Sequence, residues 1–119
     1  MKHLAVIGSR TFDDATLLAQ ILTPKMPFML VSGGARGADK LAENFADQNG
    51  LEKLIFPAQW KLYGKGAGYI RNKTIIDHAD EVIAFWDGES RGTLHALDYA
   101  NDLRKPFQII NFHAQQKEQ

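Results

Sequence analysis

Short apolar runs and stretches of helically spaced apolar residues alternate along this chain. Runs at 4–8, 28–32, 53–56, 81–86 and 106–110 have strand length, while 14–22, 38–48, 69–78 and 93–103 carry helical spacing. In the second helical stretch Ala38, Leu41, Ala42, Phe45 and Ala46 fall on one face. The strand runs are continuous rather than alternating, as in a parallel sheet covered by helices on both faces. The pattern therefore predicts an α/β fold, a doubly wound parallel sheet of about five strands with helices on both faces. Local chemistry marks the helix ends. Asp13 is placed to cap the first helix, Thr23-Pro24 to end it, and Gly50 to stop the second. The segment 57–68 follows neither periodicity and is expected to be a long, functional loop.

Length and composition narrow this further. The 119 residues suit one domain with a single core. That domain is expected over 1–112, followed by a polar tail at 113–119. No apolar run reaches the length of a membrane span, so no membrane partner is expected. The start, Met1-Lys2-His3 before the apolar run, is too short for a signal peptide, and the expected location is cytoplasmic. The chain has no cysteine, which removes disulfides, thiolate metal sites and cysteine nucleophiles. His3, His78, His95 and His113 show no ligand spacing, so neither a metal nor a cofactor is implied. With 14 basic and 14 acidic residues the formal net charge is zero, which makes nucleic acid an unlikely partner, since such binding draws on a basic surface.

The chemistry lies after the strands. In an open parallel sheet, ligands bind beyond the carboxyl ends of the strands, where strand order reverses. The first run leads into Gly8-Ser9-Arg10, the second into Ser32-Gly33-Gly34-Ala35-Arg36-Gly37-Ala38-Asp39, and the fourth into Asp87-Gly88-Glu89-Ser90-Arg91-Gly92-Thr93. Two readings of the glycine turn stand side by side. Its glycines expose the first amides of a helix to a phosphate, or they serve only the tight turn and close packing. It matches neither the dinucleotide nor the triphosphatase glycine spacing. Trp60 in the long segment suits stacking on a base. Arg71-Asn72, read at the start of a helix, puts a cation where acids are preferred, which a bound anion explains; a surface pairing of Arg71 with Asp77 or Glu81 explains it equally.

Taken together, Gly8-Ser9-Arg10, the stretch from Ser32 to Asp39, Phe56-Pro57-Ala58-Gln59-Trp60, Gly64-Lys65-Gly66-Ala67-Gly68 with Arg71-Asn72, and Ser90-Arg91-Gly92-Thr93 resemble the YspA-like, YpsA-related branch of the SLOG superfamily. That superfamily is named for the Smf/DprA DNA-processing proteins and the Lonely guy phosphoribohydrolases. The resemblance implies a Rossmann-like domain that binds a nucleotide-derived small molecule, such as a nucleoside monophosphate or an ADP-ribose-like ligand. Under it, the ligand-binding residues are Gly8, Ser9, Arg10, Ser32, Gly33, Gly34, Ala35, Gly37, Asp39, Trp60, Arg71, Asn72, Asp87, Ser90, Gly92 and Thr93. Lonely guy enzymes cleave the base from a nucleoside monophosphate with an arginine and a glutamate. Arg71 is similar in placement to that arginine and is the candidate catalytic residue that the resemblance implies, but the glutamate position holds Ala96. Nucleotide phosphoribohydrolysis is thus one alternative, and single-stranded DNA binding of the DNA-processing type is another. Related folds also suggest a homodimer.

Overall fold

The structure is a computed structural model and describes residues 1–112. The tail expected at 113–119 lies outside the described residues. Five strands, β1 (His3–Gly8), β2 (Met29–Ser32), β3 (Lys53–Ile55), β4 (Glu81–Trp86) and β5 (Phe107–Asn111), form one all-parallel sheet in the order β3-β2-β1-β4-β5. The chain builds outward from β1 to β3, then crosses over and builds outward again through β4 to β5. Strand order reverses between β1 and β4, where Ala5 pairs with Val82 and Gly8 with Phe85. A crevice is expected beyond the carboxyl ends of these two strands.

Side-chain alternation along the strands divides the core between two faces. Leu4, Val6, Leu30, Ile83 and Phe85 point to the face covered by α1 (Ala15–Leu22) and α2 (Ala38–Gln48). Ala5, Ile7, Val31, Val82 and Ala84 point to the face covered by α4 (Ala67–Asp77) and α5 (Arg91–Asp102). Phe12, just after β1, stacks on Phe85 with ring centroids 4.6 Å apart and meets Phe112 edge-on at 4.9 Å. It ties the loop after β1 to the end of β4. The doubly wound α/β fold is the one the apolar pattern predicts.

The edges depart from that pattern. β5 is exposed at most positions and β3 is half-buried, because the helices lie over the central strands and leave the outer ones to solvent. At the other end of the sheet, buried Glu81 opens β4 and pairs with Lys2 at 2.6 Å and Lys25 at 2.7 Å. Burial alone pushes its carboxyl up, but the two lysines outweigh that and hold it below its ordinary value.

Helix boundaries follow the local chemistry with two corrections. The cap of α1 is Asp14 rather than Asp13: its side chain accepts the Leu17 amide at 2.9 Å. Gly50 does follow α2, where the Leu51 amide returns to Ala46 O at 2.9 Å and the Gly50 amide to Asp47 O, the paired bonds of a Schellman stop. The second correction concerns 57–68. A single helical turn, α3 (Trp60–Tyr63), and a 3-10 turn (Gly64–Gly66) run directly into α4, which begins at Ala67 and not at Tyr69. A four-residue helix is too short to show a period, and Gly64 at φ 61° breaks it from the next turn.

Candidate functional site

The reversal point opens into a cleft of about 500 Å³. Its walls come from the end of β1 with the following Ser9-Arg10-Thr11, the α2 start, α4, the loop after β4 and the first turn of α5. Of the residues singled out in the sequence, Gly8, Ser9, Arg10, Ala35, Asp39, Trp60, Arg71, Asn72, Asp87, Ser90, Gly92 and Thr93 line it. Gly33 and Gly34 line a neighbouring compartment that shares Arg10, Ala35, Trp60 and Arg71 with the cleft. Ser32 and Gly37 line neither.

The glycine turn is wrapped around a carboxylate of its own chain. Asp39, in the first turn of α2 and 7% exposed, bends back so that Oδ2 accepts the Ala35 amide at 3.1 Å. The Gly33 amide and the Arg71 guanidinium also act on it. The Ala38 amide, a first-turn donor of the same helix, is taken by Ser9 O at 3.3 Å. Donors that the sequence offers to a phosphate are thus engaged within the protein. Burial nevertheless outweighs these contacts and pushes the Asp39 carboxyl above its ordinary value.

Gly37 makes this packing possible. At φ 75°, ψ −126° it occupies backbone space that L side chains avoid, and a Cβ there would overlap Ser9 O and come within 2.6 Å of the Arg10 carbonyl. Gly33 is pressed from the other side by side chains, since a Cβ on it would lie 2.5 Å from Arg71 Nη1 and 3.0 Å from Asp39 Oδ2.

Arg71 is held over this turn. Its Nη1 donates to Gly33 O at 2.8 Å and its Nε to Asn72 Oδ1 at 3.1 Å. Because α4 starts at Ala67, Arg71 lies beyond the first helical turn, so the argument from a cation at a helix start does not apply. Nor does it pair with the acids suggested by the sequence. Asp77 accepts the Tyr99 hydroxyl at 2.7 Å, and Glu81 is paired with the two lysines. Burial lowers the Arg71 pKa, Arg10 lowers it further, and Asp39 opposes them. The guanidinium stays charged at neutral pH. It is a cation with less compensation than burial demands.

The far wall is built by hydrogen bonds across the reversal point. Ser9 donates its amide to Phe85 O at 2.9 Å and accepts the Asp87 amide on Oγ at 3.1 Å, so this buried serine stitches the β1 and β4 loops together. Away from this wall, the buried Ser32 donates from Oγ to Val6 O at 3.4 Å and ties β2 to β1. Asp87 Oδ1 accepts the amides of Glu89 and Ser90, each at 2.9 Å. Burial raises the Asp87 carboxyl, but these amides and the Ser9 hydroxyl outweigh it and leave the pKa below its ordinary value. Ser90 then caps α5 by accepting the Thr93 amide, and its carbonyl accepts Trp86 Nε1–H at 3.1 Å. Asn72 Nδ2 donates to Gly92 O at 3.1 Å and joins α4 to α5. Trp60, 52% exposed, stands at the rim, and its ring lies where a Cβ on Gly68 would come within 3.5 Å.

The cleft is also lined by residues outside the predicted ligand-binding set: Thr11, Tyr69 and, as floor, Ile75, together with Lys65, Gly68 and Ala96, which the sequence motifs contain without assigning them to the ligand. A signal for most of them was present. Lys65, Gly68, Tyr69, Asn72 and Ile75 recur at three- and four-residue spacing, so once α4 is extended backward they share one face with the cleft. Ala96 is 1% exposed on the cleft floor, where the enzyme resemblance would place a glutamate.

Comparison with known proteins finds a relative over nearly the whole chain. The Gene 61 protein of Mycobacterium phage D29 is 34% identical over 123 residues, which cover 94% of this chain and 97% of that protein. The family model described as YAcAr, the YspA, cpYpsA-related SLOG family, matches residues 3–63, which carry β1, the glycine turn with α2, β3 and the Trp60 turn. The chain belongs to the YspA, cpYpsA-related SLOG family.

Proposed function

We propose that this protein binds a nucleotide-derived small molecule, of the nucleoside monophosphate or ADP-ribose-like kind, in the cleft between the ends of β1 and β4. The observation that carries the reading is Arg71. A partly buried guanidinium faces the cleft beside a second cation, Arg10, and a bound phosphate adds negative charge and acceptors to those that Asp39, Gly33 O and Asn72 Oδ1 already give Arg71. Trp60 at the rim offers a ring face for a base, and Asp87 and Ser90 stand where ribose hydroxyls would lie. Membership of a SLOG family supports a nucleotide-related ligand. The volume is within the range of small-molecule sites. A cytoplasmic homodimer remains the expected setting, and sedimentation velocity tests the assembly.

The experiment is a thermal-shift and calorimetric panel of nucleoside mono- and diphosphates and ADP-ribose against the protein and its Arg71→Ala variant. At about 100 times the dissociation constant a true ligand adds roughly 2.7 kcal/mol of stability. The reading expects such a shift, reduced in the variant. No stabilisation by any member at millimolar concentration overturns it.

One observation favours a catalytic variant of this reading. Asp39 and Asp87 line the same cleft with pKa values displaced in opposite directions, the arrangement by which two carboxyls divide acid and base roles. In that variant water attacks the ribose anomeric carbon, the bond to the base breaks, and the base leaves with a proton. Free base released from a nucleotide, and abolished in Arg71→Ala, supports it. Binding without release rejects the chemistry and keeps the site.

A further inference from the structure

Beside the main cleft lies a second compartment of about 320 Å³, above the glycine turn. Its walls are Arg10, Arg36, Arg71 and Trp60, with Gly34 and Ala35 as backbone and Pro57-Ala58 closing the end. Its lining contains three arginines and no carboxylate. Two acids lie close by: Asp39, already engaged by the Ala35 amide and by Arg71, and Glu43, whose Oε2 stands 3.9 Å from where a Cβ on Gly34 would lie. Arg10 and Arg71 sit close enough that the charge of one disfavours the charge of the other. Positive groups gathered around one cavity in this way repel unless an anion lies among them, and guanidinium forks match phosphate oxygens two at a time.

The compartment shares Arg10, Ala35, Trp60 and Arg71 with the main cleft, so a single extended ligand reaches both by passing between the two arginines. We propose that the ligand carries a diphosphate, with one phosphoryl group in the main cleft and the next in this compartment, and that Arg36 determines the preference for it. Arg36 is exposed at the turn between Gly34 and Gly37. It touches the second phosphoryl group and lies outside the lining of the main cleft. The inference rests on the nucleotide reading of the cleft and selects, within it, diphosphate-containing molecules over monophosphates.

Calorimetry tests it with base-matched nucleoside mono- and diphosphates, ADP-ribose, and inorganic phosphate against inorganic pyrophosphate, on wild-type protein and on Arg36→Ala. The expected result is a diphosphate bound about tenfold more tightly than its monophosphate, with the preference falling to about threefold or less in the variant. Arg36 is exposed, so the variant is expected to fold, and its melting curve verifies that. Arg36→Lys, which keeps the charge and loses the fork, is expected to fall between the two.

Monophosphates binding as tightly as diphosphates overturns the second subsite and leaves the cleft reading intact. A diphosphate preference that survives Arg36→Ala overturns the placement in this compartment. No binding of any probe overturns the cleft reading and this inference with it. A single-stranded oligonucleotide that outcompetes every mononucleotide assigns the arginines to a polynucleotide backbone and also overturns the proposal.

Discussion

Replacing Gly37 by alanine attacks the joint between the glycine turn and the loop after β1. The backbone at φ 75°, ψ −126° costs an L residue about 1–3 kcal/mol. The added methyl would also overlap Ser9 O and approach the Arg10 carbonyl to 2.6 Å, and both neighbours are backbone that must move as a unit. Overpacking of that kind adds about 1–3 kcal/mol. The total, about 2–6 kcal/mol, is a large share of the roughly 5–15 kcal/mol that holds a domain together. Gly50→Ala is the matched comparison. Gly50 has φ 68° but nothing within 4 Å of a Cβ, so only the backbone cost of about 1–2 kcal/mol remains. Urea denaturation of the two variants reads the difference as midpoint shifts at unchanged slope. Equal losses would refute the argument, because they would mean that the turn does not press on Ser9 and Arg10 as described.

Three further outcomes follow from the charges and the rim of the cleft. The folded pKa of Glu81 lies below 4.5, so the unfolded state binds the proton first; its pairs with Lys2 and Lys25 stabilise the fold above about pH 4.5, and that stability is lost as pH falls through the folded value. Glu81→Gln is expected to cost about 1 kcal/mol at pH 7 and little in acid, read from melts across pH. Asp39 has the opposite sign. Its folded pKa lies above 3.8, so between the two values the native state retains a proton that the unfolded state has released, and stability falls as pH rises. Asp39→Asn should therefore gain on wild type from about pH 4 upward until Asp39 is fully ionised; a pH-independent difference between the two melts would reject the buried ionisation. Trp60 and Trp86 are the only tryptophans, so in Trp60→Phe any fluorescence change on nucleotide addition that Trp60 carries should vanish, and its persistence would move the base away from this rim.

What the sequence made legible is what burial repeats. β1, β2 and β4 are central strands whose two faces both meet helices, so their apolar runs are unbroken and their ends were read within a residue or so. α2 and α5 each press one face on the sheet, and the period shows it. The α3 turn was not legible, because four residues complete barely one turn and glycines at 64, 66 and 68 read as loop. That one omission displaced the start of α4 and, with it, the explanation of Arg71. The candidate site was legible as a set of segments, since each follows a parallel strand. How its groups are spent was not. That Ser9 is committed to the Asp87 amide depends on a contact across the reversal point, and that Asp39 turns back four residues to take the Ala35 amide depends on the backbone path of the glycine turn; residue spacing encodes neither.

The central claim is that a nucleotide-derived ligand sits at the reversal between β1 and β4, and amide-resolved NMR of isotopically labelled protein titrated with AMP, ADP and ADP-ribose tests it most directly. The account predicts saturable shifts concentrated at Gly8, Ser9, Ala35, Asn72, Asp87 and Gly92, with the amides of β5 and of α1 unmoved. Saturable shifts centred anywhere else, or none with any of the three ligands, would contradict it.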